Sequence, residues 1–292
     1  MEILISIFIF LFGLAVGSFL NSIIWRLSIN KSFLFASTKK RKLKRGFLGL
    51  FNKKLARSYC PKCKHELRAE DLIPILSFIL LKGRCRYCQK KISFQYPLVE
   101  LATGLLFVII YLVNKKYLFY GNDYFWFFNF LFLFFISSLL VIIFVYDFKH
   151  YIIPDKIIYP AIIVTTIWYL ASNLFFKSST SYNLSNVIYS ALGSASFFLV
   201  IVVVSQGKWM GVGDVKLAFL MGLLLGFPNI LVALFLAFFI GAVVGVMLVL
   251  AGRKTLKSEV PFGPFLVLAT FLAMFFGLQI IDFYFSLSWM GI

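Results

Sequence analysis

Charged residues are scarce in this chain of 292 residues, where they make up 14% of the sequence and only 11 are acidic. A soluble globular domain carries about 25% charged residues. The hydrophobic fraction reaches 61%, so the composition excludes a soluble globular protein and is typical of a chain whose solvent is lipid. The apolar segments also lack cysteine, and the chain has no internal repeats or low-complexity tracts.

Long apolar runs account for most of the chain. A helix of about 20 residues crosses the hydrocarbon core of a bilayer, and the sequence predicts eight such segments: 3–25, 98–114, 124–146, 157–176, 187–205, 215–227, 229–251 and 262–285. The first segment lacks a basic N-terminal region and a small-residue cleavage pattern, which favours a retained helix over a signal peptide. The segment 215–227 is short, and we expect its start to lie inside the bundle, where polar backbone is shielded.

The loops predict the orientation of these segments. If residues 28–97 lie in the cytoplasm, alternation puts 147–156, 206–214 and 252–261 on the same side and the N-terminus outside. The inside loops then carry more basic residues than the outside loops, as the positive-inside bias requires. The two sets are Lys149, Lys156, Lys208, Arg253, Lys254 and Lys257 inside, and Lys115, Lys116 and Lys177 outside.

The basic segment 28–97 holds 18 Lys and Arg against three acids, a net +15 of the total +18. The positive-inside bias and attraction to anionic lipid headgroups explain this charge, so we expect membrane lipids as its partner and no nucleic acid. Within the segment, 37–57 is either a basic interfacial stretch or a flexible loop. The apolar run 72–81 contains Pro74 and is too short to span, so it either packs against the cysteine region or lies on the membrane surface.

All four cysteines lie in this segment, as two C-x2-C pairs separated by 21 residues: Cys60, Cys63, Cys85 and Cys88. A reducing cytoplasm disfavours disulfides, which makes metal binding the better interpretation. Each C-x2-C turn presents two thiolates to one edge of a tetrahedron, so the pattern predicts a structural zinc site. Four thiolates leave no open position for catalysis, and His65 is interpreted as a surface residue.

Two acids occur where the chain meets the membrane. Asp147 ends the third apolar segment and Asp214 opens the sixth. Ionisable residues near membrane depth are costly and therefore indicate function. The predicted topology puts both on the cytoplasmic side, so they can meet although 67 residues separate them. The alternative for either residue is a simple interfacial charge or helix cap.

Two carboxyl groups held close together do not both ionise readily, so one keeps its proton. The ionised group can take a proton from water while the protonated group polarises the scissile amide. The pair Asp147 and Asp214 therefore predicts an aspartic protease. His150, three residues after Asp147, is a further candidate for tuning that acid.

Five neighbouring residues are predicted to support this pair: Gly211, Gly213, Lys216, Pro154 and Asp155. The two glycines flank Asp214 in a G-x-G-D pattern and permit close approach of another backbone. Asp155 follows Pro154 and is interpreted mainly as a cap for the next helix, with loop orientation or substrate binding as alternatives.

At these residues the sequence resembles the bacterial type IV prepilin peptidases, which are bifunctional leader peptidases and N-methyltransferases. The matching pieces agree in order and spacing across about 270 residues. They are GSFLN at 17–21 with Arg26, CPKC at 60–63, DLIPILSF at 71–78, GRCRYC and KKIS within 83–93, YPLVEL at 96–101, Asp147 with IPD ending at 155, GVGDVK at 211–216 and PFGPFL at 261–266.

The resemblance implies an aspartic endopeptidase of the bacterial inner membrane that acts on type IV prepilins and secretion pseudopilins. It implies cleavage of a short basic leader after a glycine at the cytoplasmic face, with Asp147 and Asp214 as the catalytic pair. It also implies methylation of the new N-terminus with S-adenosylmethionine, an activity that the residues themselves do not indicate. No glycine-rich loop after a strand is visible, so no residue is assigned to that cofactor.

Taken together, the sequence predicts an all-α polytopic membrane protein with about eight transmembrane helices and a small zinc-ribbon-like cytoplasmic domain. The predicted parts are a first helix at 1–27, the cysteine domain at 28–97 and a helix bundle at 98–292. Alternatives are a prepilin-type peptidase without methylation, a presenilin-like or preflagellin peptidase, and a transporter or scaffold. Presenilin-like and preflagellin enzymes do not explain the cysteine domain, and a transporter is expected to carry polar residues at mid-membrane.

Overall fold

The computed structural model describes residues 2–29, 58–120, 123–175, 184–252, 255 and 260–289. Its α-helices are α1 (Glu2–Ile29), α2 (Leu76–Leu80), α3 (Gln95–Tyr120), α4 (Asp123–His150), α5 (Asp155–Phe175), α6 (Leu184–Val204), α7 (Val212–Leu225), α8 (Asn229–Leu250) and α9 (Gly263–Trp289). A short 3-10 helix covers Ala69–Leu72. The basic stretch 37–57 and the predicted inside residues Arg253, Lys254 and Lys257 lie outside the described residues.

Within the described ranges, secondary structure is helical apart from two isolated β-bridges. Seven of these helices, all except α2 and α7, are long and apolar enough to cross a membrane. Together with α7 they match the eight predicted apolar segments in order, which confirms an all-α polytopic membrane protein. Helix α7 has 14 residues and therefore measures about 21 Å, short of a full crossing.

The chain forms two compact units, Met1–Phe119 and Tyr120–Ile292. In the first unit, α1 and α3 pack closely at glycines. A Cβ built on Gly13 would lie 2.7 Å from the Gly104 Cα, and one built on Gly17 would lie 2.7 Å from the Glu100 Cα. Gly13 and Gly17 are one helical turn apart, so they form a flat strip that lets the two backbones approach, as small residues do between membrane helices.

The cysteine region of the first unit is fastened to α3 by a buried carboxylate. Glu100 is 7% exposed, and its Oε2 accepts a 2.8 Å hydrogen bond from the backbone N–H of Ile75. Ile75 has a φ of 58°, an unusual backbone angle for a β-branched residue that this contact helps to hold. The segment before α2 therefore lies beside the first turns of α3.

In the second unit, the short helix α7 is surrounded by its neighbours. Helices α5, α6, α8 and α9 all pack against it, and Leu217, Ala218, Leu220 and Met221 are fully buried. The Tyr169 hydroxyl of α5 also donates to the Leu224 carbonyl, at 3.0 Å. Because protein rather than lipid covers α7, a helix too short to span is accommodated within the bundle.

The contact between α6 and α7 depends on small residues. The space beside Gly222 is filled by the backbone of Ala191, whose nitrogen lies 2.6 Å from a Cβ built on that glycine. One turn earlier on α7, the Ala218 carbonyl accepts a 2.8 Å hydrogen bond from the Ser194 hydroxyl. The position of α7, and of Asp214 near its start, therefore depends on this close contact.

We predict that Gly222→Leu separates α6 from α7 and destabilises the protein by at least about 3 kcal/mol, because the obstructing atoms are backbone and cannot rotate away. Thermal unfolding of purified protein in detergent measures the effect. The matched control is Gly245→Leu on α8, where a built Cβ meets nothing within 4 Å. Equal unfolding temperatures for the two variants would contradict the packing described here.

Candidate active site and candidate metal site

Asp147 lies in the last turn of α4 and is 4% exposed. The helix ends just beyond it because Tyr151 adopts a left-handed φ of 57° while its N–H donates to the Asp147 carbonyl at 2.8 Å. The Asp147 side chain therefore points from a rigid helix end into protein.

The N-terminus of α9 meets the Asp147 carboxylate. A Cβ built on Gly263 would lie 2.5 Å from Asp147 Oδ2, and the Gly263 backbone N–H donates a hydrogen bond to the same group. The free N–H groups and dipole of a helix N-terminus interact favourably with a carboxylate. Only a glycine fits here without displacing the acid. The motif PFGPFL at 261–266 did not by itself predict this role of Gly263; a Gly-Pro pair that opens an apolar helix was the available signal.

Asp214 is the third residue of α7 and is 9% exposed. Its Oδ2 accepts a 3.3 Å hydrogen bond from the N–H of Gly211, which stands immediately before the helix. The carboxylate thus folds back over the helix start, a common way for a third-position acid to satisfy a terminal N–H. This contact fixes the orientation of the side chain.

The structure brings the two predicted acids together in the second unit. Helix α9 packs against both α4 and α7, and the charge of Asp147 acts electrostatically on Asp214. Both carboxyl groups are buried, although they are 67 residues apart in sequence. Two buried carboxyl groups that interact can divide the roles of general acid and general base.

Three contacts join the chain after Asp147 to the start of α7. A Cβ built on Gly213 would lie 3.2 Å from the Cβ of Ile153, so this glycine permits the approach of the loop. Asp155 Oδ1 and Lys216 Nζ form a 2.6 Å ion pair. Lys216 Nζ also lies 4.9 Å from the centre of the Tyr159 ring. Asp155 is thus paired across the loop; its interpretation as a cap for α5 stays a prediction.

Pro154 and the two histidines lie at a helix start, at a helix end and on the surface. The Pro154 carbonyl accepts the N–H groups of Ile157 and Ile158 and so initiates α5. His150 lies at the end of α4 with its ring 4.6 Å from that of Tyr146. His65, in the first unit, is exposed and its ring lies 3.7 Å from that of Tyr87.

The four cysteines form one cluster in the first unit. Their sulfur atoms all lie within 4.8 Å of one another, and Cys60 Sγ is 3.9 Å from Cys88 Sγ. Tetrahedral coordination with metal–sulfur bonds near 2.3 Å places sulfur atoms about 3.8 Å apart. The side chains of Cys60, Cys63, Cys85 and Cys88 therefore fit a single tetrahedral metal ion.

The two cysteine turns share one backbone pattern. The first cysteine of each pair exchanges backbone hydrogen bonds with the residues four and five positions later, at 2.9–3.0 Å. The residue four positions later, Lys64 or Gln89, has a φ of 57° in both turns. Burial raises the pKa of the Cys60 thiol, but the backbone N–H groups of Cys63 and Lys62 outweigh it and lower the pKa to about 7. These backbone donors favour the thiolate form of Cys60, the form that metals bind.

Asp71 joins the second cysteine turn to the segment before α2. Its side chain is 3% exposed and forms a 2.8 Å ion pair with Arg86. It also accepts hydrogen bonds from the Arg68 N–H at 3.1 Å and the Tyr87 hydroxyl at 3.3 Å. Burial and the Asp71 charge raise the pKa of Tyr87. Asp71 opens the motif DLIPILSF, but the motif alone did not predict this structural role.

Comparison with known proteins gives the same family from both halves of the chain. The profile of the bacterial peptidase A24 N-terminal domain matches residues 11–114, and that of the type IV leader peptidase family matches residues 133–246. No solved structure matches the chain.

Several curated relatives are similar over almost the full length. The prepilin leader peptidase/N-methyltransferase of Aeromonas salmonicida is 31% identical, with 95% of this chain and 93% of the relative aligned. The Bacillus subtilis protein of the same name is 30% identical, with 96% of this chain and 98% of the relative aligned. The Pseudomonas aeruginosa protein is 30% identical, with 92% of this chain and 90% of the relative aligned. Identity at this level across nearly whole chains, together with both profile matches, means that this chain belongs to the type IV leader peptidase family.

Proposed function

We propose that this protein is an aspartic endopeptidase that removes the leader peptide from type IV prepilins and related pseudopilins, and that it N-methylates the new N-terminus. The observation that carries the peptidase activity is the burial of two interacting carboxyl groups at the ends of α4 and α7. The family membership and the names of the relatives, which combine a leader peptidase and an N-methyltransferase, support both activities.

Asp147 and Asp214 are the proposed catalytic residues. One carboxylate acts as general base and takes a proton from the attacking water, while the other, protonated, donates to the scissile amide as the tetrahedral intermediate forms and breaks down. The hydrogen bonds from Gly263 and Gly211 hold the two groups in fixed orientations before substrate arrives. Fixed geometry of this kind lowers the barrier because the reacting groups need not reorganise.

Gly211, Gly213, Pro154, Asp155 and Lys216 are proposed to support this pair. The Asp155–Lys216 ion pair and the Ile153–Gly213 contact both tie the loop after α4 to the first turns of α7. Asp147 lies eight residues before Asp155, and Asp214 lies two residues before Lys216. The two contacts therefore restrict the separation of the catalytic carboxyl groups.

The proposed location is the bacterial inner membrane, with the active site on the cytoplasmic side. The excess of lysine and arginine in the loops on the side of Asp147 and Asp214 supports this orientation. A prepilin-type substrate joins a soluble leader to an apolar helix, so its cleavage site lies near the membrane boundary. The two acids stand at the ends of membrane-embedded helices, where that junction can reach them.

Zinc is the proposed metal of the cysteine cluster. Four thiolates would complete a tetrahedral site and leave no position for a catalytic water, so the ion would stabilise the fold of this loop-rich segment. S-adenosylmethionine is the proposed methyl donor by family membership. The described residues contain no strand followed by a glycine-rich loop, so no residue is assigned to this cofactor and no step of methyl transfer is derived.

We predict that Asp147→Ala and Asp214→Ala each reduce leader cleavage about a thousandfold or more, because each removes one of the two proton-transfer groups. The measurement is conversion of a type IV prepilin to its mature form in membranes that contain both proteins, with mass spectrometry of the mature N-terminus to detect methylation. Asp282→Ala, which changes an exposed acid on α9, is the matched control and should cleave normally. Full cleavage by both single variants would refute the catalytic assignment.

We also predict that Gly263→Ala lowers the cleavage rate on the order of a hundredfold, because the added methyl group displaces the Asp147 carboxylate from its position. Initial rates at saturating prepilin separate this effect from substrate binding. Gly193→Ala is a suitable comparison, since a Cβ at that position meets nothing within 4 Å. A Gly263→Ala enzyme with the rate of the unaltered protein would show that the carboxylate tolerates displacement.

A further prediction concerns the metal. Reduced, intact protein should contain one zinc ion per chain, and Cys85→Ser should lose it because three thiolates bind the ion more weakly than four. Elemental analysis by mass spectrometry measures the stoichiometry. Lys62→Ser, an exposed change inside the first cysteine turn, should keep the ion. Absence of zinc from the unaltered, reduced protein would contradict the proposal.

A further inference from the structure

The apolar segment around α2 presents large hydrophobic side chains that the rest of the described chain does not cover. Leu76, Ile79 and Leu80 are 49%, 63% and 70% exposed. Phe78, on the same short helix, points the other way and packs against Gly83 and the ring of Phe94. One side of α2 therefore packs, through Phe78, against Gly83 and Phe94. The side that carries Leu76, Ile79 and Leu80 is apolar and exposed.

The position of α2 along α3 is fixed by hydrogen bonding. Ile75, immediately before α2, donates to Glu100, which is five residues and thus about 7.5 Å into α3. Helix α3 is one of the helices of membrane-spanning length. Helix α2 therefore lies beside the first turns of a helix of membrane-spanning length, and its exposed side chains are not far out in the aqueous phase.

Helix α3 has an exposed apolar face of its own. Leu98, Leu101 and Leu105 are exposed, and their spacing of three and four residues places them on one face of α3. Phe94, immediately before the helix, is exposed as well. In a membrane-spanning helix such an exposed apolar face contacts lipid. Phe94 lies at the base of this face, and its ring packs edge-on against Phe78 of α2, with centroids 5.8 Å apart.

Basic residues lie close to α2 in sequence. Lys82, Arg84, Lys90 and Lys91 follow it in sequence and are exposed. Lysine and arginine next to a buried apolar surface are attracted to lipid phosphates at the headgroup level.

We propose that α2 is an interfacial anchor whose side chains Leu76, Ile79 and Leu80 insert into the boundary between headgroups and acyl chains of the bilayer that the protein spans. The anchor holds the metal-binding turns at the membrane surface, because Gly83 directly connects α2 to the second cysteine turn. The Gly83 N–H donates to the Phe78 carbonyl, and the Gly83 carbonyl accepts from the Ile92 N–H, both at 2.8 Å. This role is independent of the proposed peptidase and methylation chemistry.

Photocrosslinking of the full-length protein in its membrane tests the proposal. Benzoylphenylalanine is introduced in place of Leu80, the membranes are irradiated, and the masses of the adducts are measured. Lipid adducts at Leu80 should be about as abundant as at Leu105, on the lipid-facing side of α3, and several-fold more abundant than at the exposed Lys62. Leu80 adducts at the Lys62 level, or adducts mainly with another copy of the chain or with a pilin, would overturn the proposal.

Fluorescence provides a second test, in which tryptophan replaces the larger benzoylphenylalanine. Leu80→Trp and Lys62→Trp proteins are reconstituted in vesicles of phosphatidylcholine and phosphatidylglycerol, with and without bromine on the acyl chains. After subtraction of the emission of the unaltered protein, bromine should quench the tryptophan at position 80 several-fold more than the one at position 62. Equal quenching at the two positions would place α2 in water and reject the anchor.

Discussion

Two carboxyl groups buried in an apolar helix bundle impose the main constraint on this structure. Such groups are costly to bury without polar partners, so the protein supplies backbone N–H donors from Gly211 and Gly263, each at the beginning of a helix. Helices α7 and α9 must then start inside the bundle rather than at its surface. This requirement explains why α7 is short, why other helices surround it, and why its contact with α6 relies on Gly222 and Ala191.

The first unit contains a loop-rich segment with little apolar core of its own, so other interactions must order it. Its cysteine turns repeat one backbone pattern and bring four sulfur atoms together. Buried carboxylates then fasten the module: Asp71 binds the second cysteine turn, and Glu100 binds the backbone before α2. Each of these acids is surrounded by donors, so their burial organises the module instead of destabilising it.

Much of this arrangement was predictable because membrane proteins leave strong sequence signals. The apolar runs predicted the seven helices of membrane-spanning length and the shorter α7, and the C-x2-C pairs predicted the sulfur cluster. The family resemblance, drawn from motifs such as GVGDVK and YPLVEL, is confirmed by the matches to both halves of the chain. Contacts of Gly263 and Asp71 were not predicted, since a glycine or an acid at a helix end has many ordinary roles and sequence spacing does not reveal its partner.

By itself, the sequence determined that the chain is a polytopic helical membrane protein of this family, because hydrophobicity, charge bias and cysteine spacing are local properties of the chain. Only the tertiary structure decided that Asp147 meets the start of α9, that Asp155 pairs with Lys216, and that α2 turns Phe78 inward and its other large side chains outward. These contacts join residues from different helices. Their geometry follows from how the helices pack, which depends on the shapes of many side chains at once and is not encoded in any single motif.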